Sequence, residues 1–373
     1  MSTKKSSKDR GNFISEWFGH RVYPIVNAAN HALADQASKA CPFLSVAKGI
    51  KQECIKKDAA QGLCTISSVS NAARRDWLAC PYRALSTELL DASTRRLFGV
   101  DADGVIFIVP AVRLADAEIK ELVRERLGGG ERVFIYFDAK LGGELSIPST
   151  ERSPEFSFDV TIFEIYAVGA TPHIGRFGVL EIQTMDFHGS YKSAVTNLND
   201  ALRLHGATFP AELQRNQHWL SDKVEGPNIA NVFKRTFYQM MFKFQLATDE
   251  RCAGCALAIA ASVWDSWQRH LAAPALTPAP DGTFTLFKPG TTSSGHIPAW
   301  VLVFDTDVSA PQTPSPLTFS KVIATDAPSI SYYALEQAPA AALENIYNAD
   351  GLFGLMVRRV YKVWPELAAT VRL

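Results

Sequence analysis

Two short stretches in the middle of the chain alternate between apolar and polar residues. Residues 155–162 read EFSFDVTI, which puts Phe156, Phe158, Val160 and Ile162 on one face of a strand and Glu155, Ser157, Asp159 and Thr161 on the other. Residues 177–183 read FGVLEIQ, where Glu181 and Gln183 share a face opposite Leu180 and Ile182. Elsewhere the apolar period is helical. The spacing predicts a helix over 114–127, closed by Gly128, Gly129 and Gly130. That glycine run ends a helix and is followed by no Lys-Ser, so it is not a phosphate loop. Further helices are expected at 193–204 and 228–246. The second of these starts at Pro227-Asn228 and carries Ile229, Val232, Phe233, Phe237, Met240, Met241 and Phe244 along one stripe. Strands are expected at 132–137, 283–287 and 300–304, a strand followed by a helix over 256–272, and a C-terminal helix over 352–364. Pro, Gly, Ser and Thr are dense between 271 and 328, which predicts mainly loop there. Helices alternating with strands predict an α/β chain with a mixed sheet.

Composition narrows the class. The chain has 373 residues, of which 47% are hydrophobic and 20% charged, the profile of a water-soluble globular protein with room for a large core or two domains. No apolar run approaches the roughly 20 residues that span a bilayer, so no membrane partner is expected. The Ser- and Lys-rich start lacks an apolar segment of the secretory kind. Residues 1–11 read as a disordered tail and the protein as cytoplasmic. The formal net charge is +0, which gives no overall attraction to nucleic acid; a binder of DNA must segregate its charge onto one face.

The two alternating strands carry the first candidate chemistry. If they pair, Asp159, Glu181 and Gln183 meet on one polar surface. Two carboxylates suit Mg²⁺, which binds one or two of them and keeps several waters. Such an ion activates water and stabilises the charge of a phosphodiester transition state. The spacing matches the PD-(D/E)xK nuclease signature with Gln183 where lysine is usual. A hairpin with a solvated polar face fits the same pattern. Glu155, on the face of Asp159, is the nearest competitor as a metal ligand.

The cysteines carry the second. Cys41, Cys54, Cys64 and Cys80 cluster, while Cys252 and Cys255 stand far away. In a reducing compartment such a cluster points to metal more than to disulfides. No Cys-x-x-Cys knuckle occurs among the four, and buried or free thiols remain the alternative. Cys41-Pro42-Phe43 and Cys80-Pro81-Tyr82 are similar turns that open and close the cluster. Cys252 and Cys255 precede an apolar run and read as small buried residues.

Longer segments carry a resemblance. LGGELSI at 141–147, SPEFSFD at 153–159, GVLEIQTMDFHGSYK at 178–192, EGPN at 225–228 and NVFKRTFYQM at 231–240 are similar to the NotI-like family of type II restriction endonucleases. FGHRVYP at 18–24 and the four clustered cysteines fit as well, so the likeness covers roughly residues 12 to 305 and weakens around 203–222. The resemblance implies a PD-(D/E)xK restriction-endonuclease-like core over 101–330 and an N-terminal metal-binding module over 12–100, while the C-terminal segment over 331–373 reads as helical from its own pattern and lies outside the resemblance. It implies one structural iron held by Cys41, Cys54, Cys64 and Cys80, although four thiolates suit zinc equally. Asp159 and Glu181 would bind the catalytic Mg²⁺, Glu144 would complete the acidic set, and Gln183 would orient water without supplying charge. His188, Lys192, Lys234 and Arg235 are candidate phosphate contacts, each with a solvated-surface alternative. The expected activity is Mg²⁺-dependent hydrolysis of double-stranded DNA at a GC-rich palindrome by a homodimer, leaving 5′ overhangs. A cognate DNA methyltransferase is expected in the same bacterial host. The alternatives are a metal-stabilised DNA-binding protein without cleavage activity and a nuclease of low sequence specificity.

Overall fold

The computed structural model describes residues 11–70, 73–169, 171–291, 297–347 and 351–369. Most of the tail expected at 1–11 therefore lies outside the described residues. The N-terminal part forms a small antiparallel sheet of β1 (Phe13–Trp17), β2 (His20–Arg21), β3 (Leu63–Ser70) and β4 (Ala73–Leu78), in the order β2-β1-β3-β4. Its apolar residues pack with Ala194, Val195, Leu198, Phe209, Leu213 and Leu220 from the helices at Lys192–His205 and Phe209–Arg215 and from the turn that follows.

The rest is built on a large mixed sheet. Its strands are β5 (Ile106–Pro110), β6 (Arg132–Phe137), β9 (Val160–Val168), β10 (Thr171–Gln183), β11 (Cys252–Ala260), β12 (Thr277–Pro278), β13 (Phe284–Leu286), β14 (Ala299–Thr306) and β15 (Leu317–Thr325). They run in the order β12-β13-β15-β14-β11-β10-β9-β6-β5. β10, β11 and β14 are mutually parallel, while β9 and β15 run antiparallel to their inner neighbours β10 and β14. A separate two-stranded ribbon pairs β7 (Leu145–Ile147) with β8 (Phe156–Phe158).

β11 is buried along its whole length, as expected of a central parallel strand covered on both faces. On one face a Cβ added at Gly254 would meet Leu97 of the helix Thr87–Phe98. On the other, Cys255 Sγ donates to Lys243 O of the helix Ile229–Phe244 at 3.1 Å. Gly254 has φ +125° and its Cβ would lie 2.9 Å from Pro298 O, so the strand crosses its neighbour where only glycine fits.

The mixed α/β architecture and most of the expected elements are present. Two expectations are corrected. The stretch 155–162 is not one strand: it bends at Asp159, leaving β8 in the ribbon and β9 in the large sheet. Thr161 is buried, not part of a solvated face. Loop prevails over 271–328 as expected, with β13 and β14 at the expected strands, and the segment adds β12 and the long β15, which the sequence pattern did not predict. Cys252 and Cys255 are buried in β11, as read from the sequence.

Candidate active site

The register of β9 and β10 decides the geometry. Leu180 lies opposite Val160, so the next residues along each strand, Glu181 and Asp159, face each other at the end of the ladder. The bend at Asp159 turns its carboxylate back onto β10: Ile182 N donates to Asp159 Oδ2 at 2.9 Å, and Asp159 N donates to Glu181 Oε1 at 3.4 Å. The residue as a whole is exposed, because the bend is, while its carboxyl faces protein atoms.

Glu181 and Gln183 do not face solvent as a simple hairpin would have them. The helix Ile229–Phe244 lies across them. It is held there by the loop after β10, where Asn228 N donates to Asp186 O at 2.8 Å and His188 N donates to Gly226 O at 3.1 Å. Helix and sheet enclose a cavity of about 30 Å³ lined by Asp159, Glu181, Gln183, Thr236, Gln239 and Lys243, among others. Gln183 is 8% exposed. Its amide is engaged on both sides: Thr236 Oγ1 donates to Gln183 Oε1, and Gln183 Nε2 donates to Thr184 O. One N–H and one lone pair remain for anything else.

Lys243 is the residue that the sequence reading missed. It falls on the buried stripe of the helix with Val232, Phe233, Thr236, Met240 and Phe244. Its Nζ forms an ion pair with Glu181 Oε2, with side-chain exposures of 4% and 12%. The signal was available, since a lysine at apolar spacing cannot reach water as a lysine on the outer face does.

Negative charge accumulates around that lysine. Burial raises the Glu181 carboxyl to about 7, with the neighbouring charge of Asp159 adding to it and Lys243 opposing it. Burial likewise raises Asp159, and the charges of Glu144 and Asp138 raise it further. Asp138, unremarked in the sequence, is buried, accepts from Tyr82 Oη at 2.9 Å and also senses Glu144. Glu144 is exposed just before β7. Glu155 is exposed in the ribbon, where it accepts from Ser146 Oγ at 2.7 Å, and it does not line the cavity.

His188, Lys192, Lys234 and Arg235 are all exposed. Arg235 pairs with Asp186 at 2.9 Å. Lys234 lies close enough to His270 to help lower that imidazole's affinity for protons, although burial is the larger cause.

The four clustered cysteines converge through two devices. Cys54 N donates to Lys39 O and Cys41 N to Gln52 O, at 2.9 and 2.8 Å, which brings the first pair together. Ala79 N donates to Cys64 O at 2.9 Å, which sets Cys80 beside Cys64. Cys41 and Cys80 each precede a proline that opens a short helix, Pro42–Lys48 and Pro81–Ala84. The N–H groups of Leu44 and Phe43, and those of Tyr82 and Arg83, favour the charged sulfur without closing a side-chain cap. Burial pushes the Cys41 thiol up to about 12 and raises Cys64 and Cys80 as well. Charge on Cys80 raises both Cys41 and Cys64, and charge on Cys54 raises Cys41 and Cys80. Gly62, at φ +80°, donates its N–H to Cys54 Sγ at 3.4 Å, and a Cβ there would lie 2.6 Å from Trp17 and Phe18.

Among the described residues, no three His, Cys, Asp or Glu side chains are drawn up as a finished metal cage. No helix among them is long and apolar enough to cross a membrane. No protein-family model matches this chain, and no curated protein matches it either.

Proposed function

We propose that the chain is a Mg²⁺-dependent, site-specific DNA endonuclease of the type II restriction class with a PD-(D/E)xK core. The observation that carries this reading is the meeting of Asp159 and Glu181 across the end of β9 and β10, beside Gln183 and under one helix. The segmental likeness to restriction endonucleases supports it independently.

The donor set fits a divalent cation. Asp159 and Glu181 would hold Mg²⁺, with Glu144 as the exposed third acid. Burial raises both carboxyls and neighbouring negative charge adds to it, which a bound cation would offset. When bound, the ion supplies water activation and neutralises charge on the phosphate. Asp159 and Glu181 would hold the ion as carboxylates, the form that burial disfavours on both. Gln183 locks the end of β10 to the helix through Thr236 and has one N–H left with which to orient water. His188, Lys192, Lys234 and Arg235 would meet the phosphate backbone, where cationic contacts set position and carry no sequence information. Guanine-reading contacts in the major groove would give specificity for a GC-rich palindrome. Cutting both strands of a palindrome, with 5′ overhangs, calls for a symmetric homodimer, and a host carrying such an enzyme requires a cognate methyltransferase.

The cysteine cluster fits a thiophilic ion, iron or zinc. Cys41, Cys64 and Cys80 sense charge on other members of the cluster, backbone N–H groups favour the thiolates of Cys41 and Cys80, and like charge on the sulfurs is what a metal ion would offset. With four thiolates its role is structural, since no position stays open for water.

Incubation of a plasmid with the protein and Mg²⁺ tests the reading. Discrete fragments are the expected result, and run-off sequencing of their ends then gives site and stagger. A smear means a nuclease of low specificity, and retarded but uncut DNA means a binder without cleavage activity.

A further inference from the structure

We propose that Lys243 is the catalytic cation of this site, supplying from the helix the positive charge that Gln183 lacks. This rests on the endonuclease reading above. Lysine at the motif position would bring an ammonium to the scissile phosphate, and a neutral amide cannot. The structure holds an ammonium in the same cavity from a different element. Lys243 is the one cationic side chain among the described residues lining it.

The placement is costly for a merely structural lysine. Desolvating an ammonium costs several kcal/mol, which a single carboxylate partner repays only in good geometry. A methionine would fill the same stripe beside Met240 and Phe244 without that cost. The helix also fixes the backbone of Lys243 firmly, because its carbonyl accepts from Cys255 Sγ in the central strand. The ammonium lies over the Phe158 ring, 5.7 Å from Nζ to the centroid, while it pairs with Glu181. In the free protein Glu181 holds the ammonium. With Glu181 serving as a metal ligand, Lys243 would be the group left to donate to a non-bridging phosphate oxygen.

The reaction balances without proton transfer by Lys243. The oxygen of water forms the new P–O bond and its proton passes to solvent. The bond to the leaving oxygen breaks with its electron pair, and that oxygen takes a proton from solvent. Lys243 stays an ammonium and stabilises the charge on the phosphorane.

The test uses a plasmid with the intact full-length protein, comparing wild type, Lys243→Met, Lys243→Arg and the double variant Lys243→Met/Gln183→Lys. Cleavage is read under single turnover. Plasmid affinity is read in Ca²⁺, and folding by thermal melting and Mn²⁺ binding. Lys243→Met should lose about 100-fold or more in rate, while plasmid affinity and Mn²⁺ binding stay within about threefold. Lys243→Arg should fall between the two. The double variant should regain at least about tenfold over Lys243→Met, because the charge returns at the motif position. A folded Lys243→Met that cuts as fast as wild type overturns the proposal and leaves the endonuclease reading intact. So does a double variant that folds and binds plasmid but shows no rescue. If Lys243→Met does not fold, Lys243→Gln takes its place in both comparisons, alone and combined with Gln183→Lys, with the same expected and overturning results. A folded wild type that leaves the plasmid uncut overturns both.

Discussion

At the scale of single residues, Glu181 is the most informative titrating group. Its carboxyl is raised to about 7 from an ordinary 4.5. Between those values the folded protein binds a proton that the unfolded chain has released. This contribution to stability is therefore full below pH ~4.5 and lost as pH rises through ~7, on the order of 3 kcal/mol in all. Urea unfolding of metal-free protein should show wild type losing ground to Glu181→Gln across that window. The constant offset between the two includes the cost of leaving Lys243 without its partner, so the slope carries the test. Parallel curves would mean that Glu181 titrates normally. The sequence made Asp159 and Glu181 legible because strand alternation and a shared register need no side-chain contacts to read. Lys243 was hidden because a lysine within a long helix is ordinarily solvated, and only its place on the apolar stripe argued otherwise.

At the scale of elements, the 229–244 helix completes the site by covering the polar face of β10. Thr236 joins the two, with Oγ1 donating to Gln183 Oε1 and to Val232 O. One hydroxyl proton serves both acceptors. Thr236→Val keeps the shape but leaves the Gln183 carbonyl buried without that donor. It should cost about 1–3 kcal/mol by urea unfolding and slow cleavage as well. An unchanged midpoint would mean that Gln183 is held by Thr184 alone. Elements with a clear period were legible: β6, the helices at 192–205 and 229–244, and the helix Gly351–Val363. The bend at Asp159 was not, because the alternation of Phe156, Phe158 and Val160 runs unbroken through it, and only competition between the ribbon and the large sheet breaks the strand. β15 was obscured by Lys321 in mid-strand and by the proline-rich approach to it. β11 begins at Cys252 although its Ala, Gly and Cys residues have little strand propensity, because burial between two helices decides the matter.

At the scale of the whole molecule, the N-terminal sheet is tied to the rest by a buried pair. Arg83 Nε and Nη2 donate to the two oxygens of Glu16 at 2.7 and 2.9 Å, and Nη2 also donates to Ser315 O at 2.8 Å. Burial alone would raise Glu16, but the charge and hydrogen bonds of Arg83 outweigh it and hold the carboxyl below its usual range. Arg83→Met should destabilise by about 3–5 kcal/mol through the orphaned carboxylate, and Glu16→Leu/Arg83→Met should recover most of that. Equal losses in both would assign the effect to packing. The same N-terminal region carries the thiol cluster, for which elemental analysis should find about one iron or zinc per chain, lost on Cys80→Ser. A metal-free, fully active preparation would contradict a structural ion. Asp159 and Glu181 are proposed to form the metal-dependent cutting site of an endonuclease. The most direct measurement is plasmid cleavage in Mg²⁺ by wild type beside Asp159→Asn and Glu181→Gln, with folding of each checked by melting. Discrete fragments are expected from wild type and none from either folded variant; fragments from a folded Asp159→Asn or Glu181→Gln, or intact plasmid with folded wild type, would rule this site out.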